Sequence, residues 1–112
     1  MVKSKAVDEK ALVKEKVIRL YKRIMPLYPV KKVILFGSYA KGRHRKDSDI
    51  DVGVVIDLPK DADTIKITSR LIHYASEIDT SLEPLCISWS EYQQSEKGSI
   101  LSEIIKTGIE II

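Results

Sequence analysis

Apolar residues at Val13, Val17, Leu20, Tyr21 and Ile24 recur at spacings of three and four. That rhythm marks one face of an amphipathic helix and predicts a helix from Asp8 to Met25, ended by Pro26 and Pro29. Lys32-Val33-Ile34-Leu35-Phe36 is a short apolar run with two β-branched residues that stops at Gly37, and its length predicts a buried strand rather than a helix. A polar, basic stretch from Ser38 to Ser48 follows, and Asp49 to Ile56 then reads as a second strand closed by Leu58-Pro59. In a strand side chains alternate, so Ile50, Val52, Val54 and Ile56 share one face and Asp49, Asp51, Gly53 and Val55 the other. Two carboxylates therefore stand side by side where this strand begins.

Asp61 or Asp63 is placed to cap a helix running to about Ile78, whose face Ile67, Leu71, Tyr74, Ala75 and Ile78 has helical spacing. It is a candidate crossover. Ser81 to Ser88 predicts a third strand, in which Pro84 cannot donate a ladder hydrogen bond and so points to an edge position or a strand end. Ser90 followed by Gln93 resembles a capping box opening a short helix. Ser99 is placed to cap another that carries Ile100, Leu101, Ile104 and Ile105, with Gly108 ending it and Ile109 to Ile112 adding a last short strand. There is no internal repeat and no low-complexity segment.

At 112 residues, 44% hydrophobic and 31% charged, the chain is expected to form one small globular domain over residues 1–112, with no room for a second, substrate-gripping domain. No apolar run approaches the roughly 20 residues that span a bilayer. The N-terminus lacks the apolar stretch and cleavage site of a secretory signal, so a cytoplasmic location is expected. Cys86 is the sole cysteine; no internal disulfide is possible, and Leu85 and Ile87 beside it favour a buried, inert thiol over a nucleophile. The net charge of +3 is spread along the chain, which gives no argument for a specific nucleic-acid partner.

The chemistry concentrates between Phe36 and Val52. Gly37 lacks a Cβ and lets backbone approach a phosphate closely, while Ser38 offers its hydroxyl and amide to phosphate oxygens at the start of a short helix. Asp49 and Asp51, two apart on a strand, project in parallel and can ligate one or two magnesium ions whose other positions are filled by water and a triphosphate. Such a site needs no covalent catalysis, only charge neutralisation and in-line placement of nucleophile and leaving group. Lys41, Arg43, His44, Arg45 and Lys46 form a basic run between the two elements; one or two of them, Lys41 and Arg43 first, are candidates for phosphate binding, and a solvated loop is the alternative for each. Gly53, beyond Asp51 on the same face, reads either as clearance for a nucleotide or as a β-bulge. Trp89, Tyr21 and Tyr74 read as core or capping residues rather than a base-stacking platform, and His73 as structural.

Gly-Ser at a strand end, ten residues, then Asp-x-Asp opening the next strand resembles the signature of the minimal nucleotidyltransferase (MNT) family of the polymerase-beta-like superfamily. Gly42, Ser48, the Ile-Asp-x-x-x-Glu-Pro pattern from Ile78 to Pro84 and the Gly-Ile-Glu-Ile ending extend the likeness over nearly the whole chain. The resemblance implies an α+β nucleotidyltransferase fold, a small mixed β-sheet flanked by helices. It implies a metal-dependent enzyme that moves a nucleoside monophosphate, AMP from ATP with Mg2+, onto an acceptor hydroxyl. It also implies a third carboxylate on a neighbouring strand. Glu83 fits, because a charge mid-strand beside Leu85 and Ile87 has no packing reason; Asp79, at a helix end, is the alternative.

So small a catalytic core leaves its cleft open, and the resemblance implies a partner that completes it: a helical HEPN-type toxin, which the nucleotidyltransferase neutralises as a type VII-like antitoxin by adding AMP to a tyrosine. The alternative is a catalytically silent antitoxin that acts by complex formation. A small domain with an exposed sheet edge also invites pairing with copies of itself.

Overall fold

The computed structural model describes residues 5–42, 48–95 and 98–112. The first apolar stripe folds as predicted into α1 (Lys5–Ile24), with Val13, Val17, Leu20 and Ile24 buried and Tyr21 packed at their margin. Its basic last turn, Lys22 and Arg23, complements the negative end of the helix dipole. A turn then delivers the chain to β1 (Val30–Phe36), followed by the single helical turn α2 (Gly37–Ala40) and by β2 (Ile50–Ile56). β1 and β2 pair antiparallel, Phe36 opposite Asp51, with one irregularity between Val30 and Lys32.

From β2 the chain crosses through α3 (Thr64–Ser76) to β3 (Leu82–Ser88), which lies parallel to β2. A parallel neighbour requires such a crossover, and α3 supplies it. Of the two aspartates, Asp63 is the cap, accepting the Lys66 amide at 3.0 Å. α4 (Trp89–Gln93), α5 (Ile100–Thr107) and the two-residue β4 (Ile109–Glu110) complete the chain, β4 pairing antiparallel with β1. The sheet is thus mixed, in the order β3-β2-β1-β4, and the fold is α+β. Among the described residues no helix is long and apolar enough to cross a membrane.

The alternation read for β2 holds. Ile50, Val52, Val54 and Ile56 join α1 and α3 in the main core, while Val55 joins Ile34, Ile87 and Ile104 in a smaller cluster on the other face. Leu20, Ile24, Ile50, Ile56 and Leu71 are essentially inaccessible, each worth about 1.5–3 kcal/mol of burial. α4 begins earlier than the capping pattern at Ser90 suggested. Its cap is Ser88, whose hydroxyl accepts the Glu91 amide at 3.1 Å, and Ser90 lies inside the helix. Starting at Trp89 brings Trp89 and Tyr92 into a stack 5.4 Å apart over the smaller cluster, which a later start would not. Ser99 caps α5 and Gly108 ends it, as read.

β3 is an edge strand, as Pro84 indicated. The Ile50 amide donates to the Ser81 carbonyl at 2.8 Å, and the alternation of a parallel ladder then turns the backbone groups of residues 82, 84 and 86 away from β2. Pro84 has no N–H to present there, and the Cys86 amide donates to Thr68 Oγ1 of α3 at 2.9 Å.

Candidate active site

β1 runs out at Phe36 and the chain turns sharply at Gly37, whose φ of +71° lies in the left-handed region. L-residues with a Cβ avoid that region. A Cβ at Gly37 would also stand 2.2 Å from Asp51 Oδ2, so the bare glycine is what lets this turn close onto the carboxylate. α2 opens with no side-chain cap, and its first amides have no partners inside the helix. Ser38 sits in this turn, partly buried, and Lys41 follows it, exposed. Arg43, His44, Arg45, Lys46 and Asp47 lie outside the described residues.

Asp51 faces Phe36 on one side and Glu83 on the other. The glycine turn, Asp51 and Glu83 thus form one line across three adjacent strands. Asp49, exposed just before β2, projects to the face of Asp51. Burial raises the Asp51 carboxyl above its ordinary value and the Asp49 charge pushes it the same way, while a hydrogen bond with Glu83 opposes the rise. Desolvation, then the charges of Asp49 and Asp51, then hydrogen bonds to both raise Glu83. No described lysine or arginine offsets Asp51 or Glu83.

Among the described residues no three His, Cys, Asp or Glu side chains stand ready-spaced as a ligand set; the carboxylates lean on one another instead. The donor set nonetheless fits a hard divalent cation. It is oxygen-only and carries surplus negative charge, which is how magnesium sites are built. Asp79 is occupied elsewhere. It pairs with Lys16 and accepts the Ser81 hydroxyl and amide, contacts that hold its carboxyl down to about 2. The structure brings Glu83, not Asp79, beside Asp51.

Gly53 answers to neither sequence reading. The ladder is regular there, and a Cβ would press on Ile87 Cδ1 at 3.1 Å; the glycine makes room for the packing of β3 on β2. Cys86 is buried and its thiol is pushed up to about 11, first by desolvation, which leaves it inert. Trp89 is engaged with Tyr92, Tyr74 lies under Arg23 with 4.4 Å from the guanidinium carbon to the ring centroid, and Tyr21 packs on the core. His73, exposed beside Glu77, takes no part in the site. Sequence reasoning missed the groove of about 420 Å³ that runs from Asp51 and Glu83 past Phe36, Ile72 and Leu85. Nothing local marks Phe36 or Ile72 as neighbours of a carboxylate on another strand.

Residues 12–110 match the family model described as "Nucleotidyltransferase domain". A Methanocaldococcus jannaschii protein named "Putative protein adenylyltransferase" is 35% identical over 80 residues, 71% of this chain and 77% of that protein. The crystal structure of a "putative nucleotidyltransferase" from Sulfolobus solfataricus superposes with a TM-score of 0.68 at 16% identity, covering 97% of this chain and 87% of that one. A chain from the complex of the tri-AMPylated Shewanella oneidensis HEPN toxin with MNT antitoxin superposes with a TM-score of 0.52 at 19% identity, covering 91% and 71%. The glycine turn facing paired aspartates, on this fold and with this match over nearly all its length, places the chain in the nucleotidyltransferase family.

Proposed function

We propose that the protein is a magnesium-dependent protein adenylyltransferase that moves AMP from ATP to a hydroxyl of a partner protein. The observation that carries this reading is the line of Gly37, Asp51 and Glu83 across β1, β2 and β3, with Asp49 on the same face. Asp49, Asp51 and Glu83 are the residues that would hold magnesium. Bound there, the ion would neutralise triphosphate oxygens and favour departure of pyrophosphate. Gly37 and Ser38 receive the phosphates at the start of α2, and Lys41, which follows that turn, adds positive charge. The acceptor oxygen attacks the α-phosphorus, the α–β anhydride bond breaks, and the hydroxyl proton passes to a carboxylate. Glu83, opposite Asp51 across the ladder, is the carboxylate we assign to that role.

The acceptor we assign is a helical HEPN-type toxin, making this chain a type VII-like antitoxin that works in the cytoplasm, where ATP is supplied. The names of the adenylyltransferase relative and of the AMPylated toxin complex support that assignment. The test incubates the protein with ATP labelled at its α-phosphate, Mg2+ or Mn2+, and a HEPN-type toxin. Label on the HEPN protein, abolished by Asp49→Asn and by Asp51→Asn, is the expected result. Neutralisation that survives both substitutions would establish a silent binder instead. Absence of label with every nucleoside triphosphate would refute the enzymatic reading.

A further inference from the structure

Beside the carboxylate cluster, the turn between α3 and β3 holds a second polar arrangement that the proposed chemistry does not use. Asp79 Oδ1 accepts the Ser81 amide at 2.8 Å and the Ser81 hydroxyl at 2.6 Å. Its Oδ2 pairs with Lys16 Nζ of α1, and its backbone carbonyl accepts the Leu82 amide at 3.1 Å. The Ser81 carbonyl in turn accepts the amide of Ile50, the residue between Asp49 and Asp51, at 2.8 Å. A continuous chain of contacts therefore runs from the middle of α1, through the entry of β3, to the backbone that carries both aspartates.

β3 needs such a clamp. It is an edge strand with a proline in it, and only its register on β2 sets Glu83 opposite Asp51. A slip of one residue would turn Glu83 to the face where Leu82 and Cys86 pack into the core. Three carboxylates gathered at one end of two strands also repel, and the repulsion acts to lever the outer strand away. The ion pair of Asp79 with Lys16, whose side chains are 23% and 32% exposed, ties that end of the strand to α1.

We propose that Lys16, Asp79 and Ser81 are positioning residues of the active site, fixing the entry and register of β3 on β2 and so holding Glu83 beside Asp51. This rests on the carboxylate site assigned under Proposed function. Asp79 acts through Glu83 and is not itself a ligand.

The test titrates ATP binding with and without Mn2+ in the full-length protein, alongside hydrogen exchange of the Ile50 amide. Asp79→Ala should cut the Mn2+-dependent gain in ATP affinity about tenfold or more, the usual effect of removing a group that orients a metal ligand, and leave metal-free ATP binding unchanged. In a Glu83→Gln background the same substitution should cost nothing further, because its effect travels through Glu83. General destabilisation would not vanish in that background. Lys16→Met, at a partly exposed site, should give a smaller loss in the same direction with near-normal melting, and it serves if Asp79→Ala does not fold. Both variants should speed Ile50 exchange relative to Val54. An unchanged Mn2+ response in both variants, or an equal loss with and without Glu83, overturns the proposal. Failure of the wild type to show any Mn2+ response, or a response that Asp49→Asn leaves intact, sinks the carboxylate site itself; Ile50 exchange then still decides whether the clamp sets the register, and unchanged exchange refutes it.

Discussion

Replacing Gly37 with alanine separates backbone strain from damage to the site. At a φ of +71° the alanine Cβ costs about 1–2 kcal/mol, which lowers the melting temperature by roughly 4–8 °C per kcal/mol in a small domain. The same Cβ would stand 2.2 Å from Asp51 Oδ2 and 3.1 Å from its Cγ, so the carboxylate must retreat by about 1 Å to reach an ordinary contact. A misplacement of about 1 Å at reacting groups costs on the order of 100-fold in rate, or about 2.7 kcal/mol in barrier. Gly42 supplies the control, because its φ is +69° and nothing lies within 4 Å of a Cβ there. Gly42→Ala should carry no more than the strain and keep near wild-type AMP transfer, whereas Gly37→Ala should lose about 100-fold. Thermal melts and single-turnover label transfer measure the two quantities. Gly37→Ala transferring AMP at more than half the wild-type rate, or Gly42→Ala losing as much as Gly37→Ala, would refute the close approach of turn and carboxylate as the reason for the glycine.

The carboxylates also set a pH profile for the metal-free protein. Asp51 and Glu83 have raised values, so their contribution is fully present below the ordinary carboxylate range and is lost as pH rises through the raised values. Asp79, held at about 2, contributes stability that is present above its ordinary value and lost as pH falls from about 4 toward 2. Urea melts should therefore show greatest stability on the acid side of neutrality, with Glu83→Gln flattening the neutral-side decline and Asp79→Asn the acid-side one; stability rising steadily to neutral pH contradicts this. Gly53→Leu forces bulk against Ile87 and should cost about 1–3 kcal/mol in the same melts. Leu71→Ala empties a fully buried site and should cost about 2–5 kcal/mol. Ser88→Ala should cost about 1 kcal/mol and Ser90→Ala far less, since only Ser88 caps α4.

Features that depend on near neighbours in sequence were legible before any coordinates. The stripe of α1, the alternation of β2 and the Gly37-Ser38 corner each follow from spacing, and so does the shared face of Asp49 and Asp51. Glu83 was readable only as a charge without a packing reason; its adjacency to Asp51 is a property of parallel register, which no local pattern states. Ser88 and Ser90 each have an acidic or amide residue three places on, Glu91 and Gln93, so the cap was decided by where Trp89 and Tyr92 could stack. Gly53 was placed on the right face, yet its reason lies in Ile87, across the ladder on another strand. The pairing of Lys16 with Asp79 joins residues far apart in the chain and depends on how α1 lies over the sheet, so nothing in either segment announces it.

The outer rim of β3 limits how another chain could meet this one. With no N–H at Pro84 and the Cys86 amide given to Thr68, the rim offers a foreign strand few donors and disfavours extension of the ladder through it. Any recognition along this flank would fall to exposed side chains such as Leu85 and Ile72, 41% and 48% accessible beside the groove. Specificity carried that way can be rewritten one residue at a time while the backbone that supports Asp51 and Glu83 stays as it is.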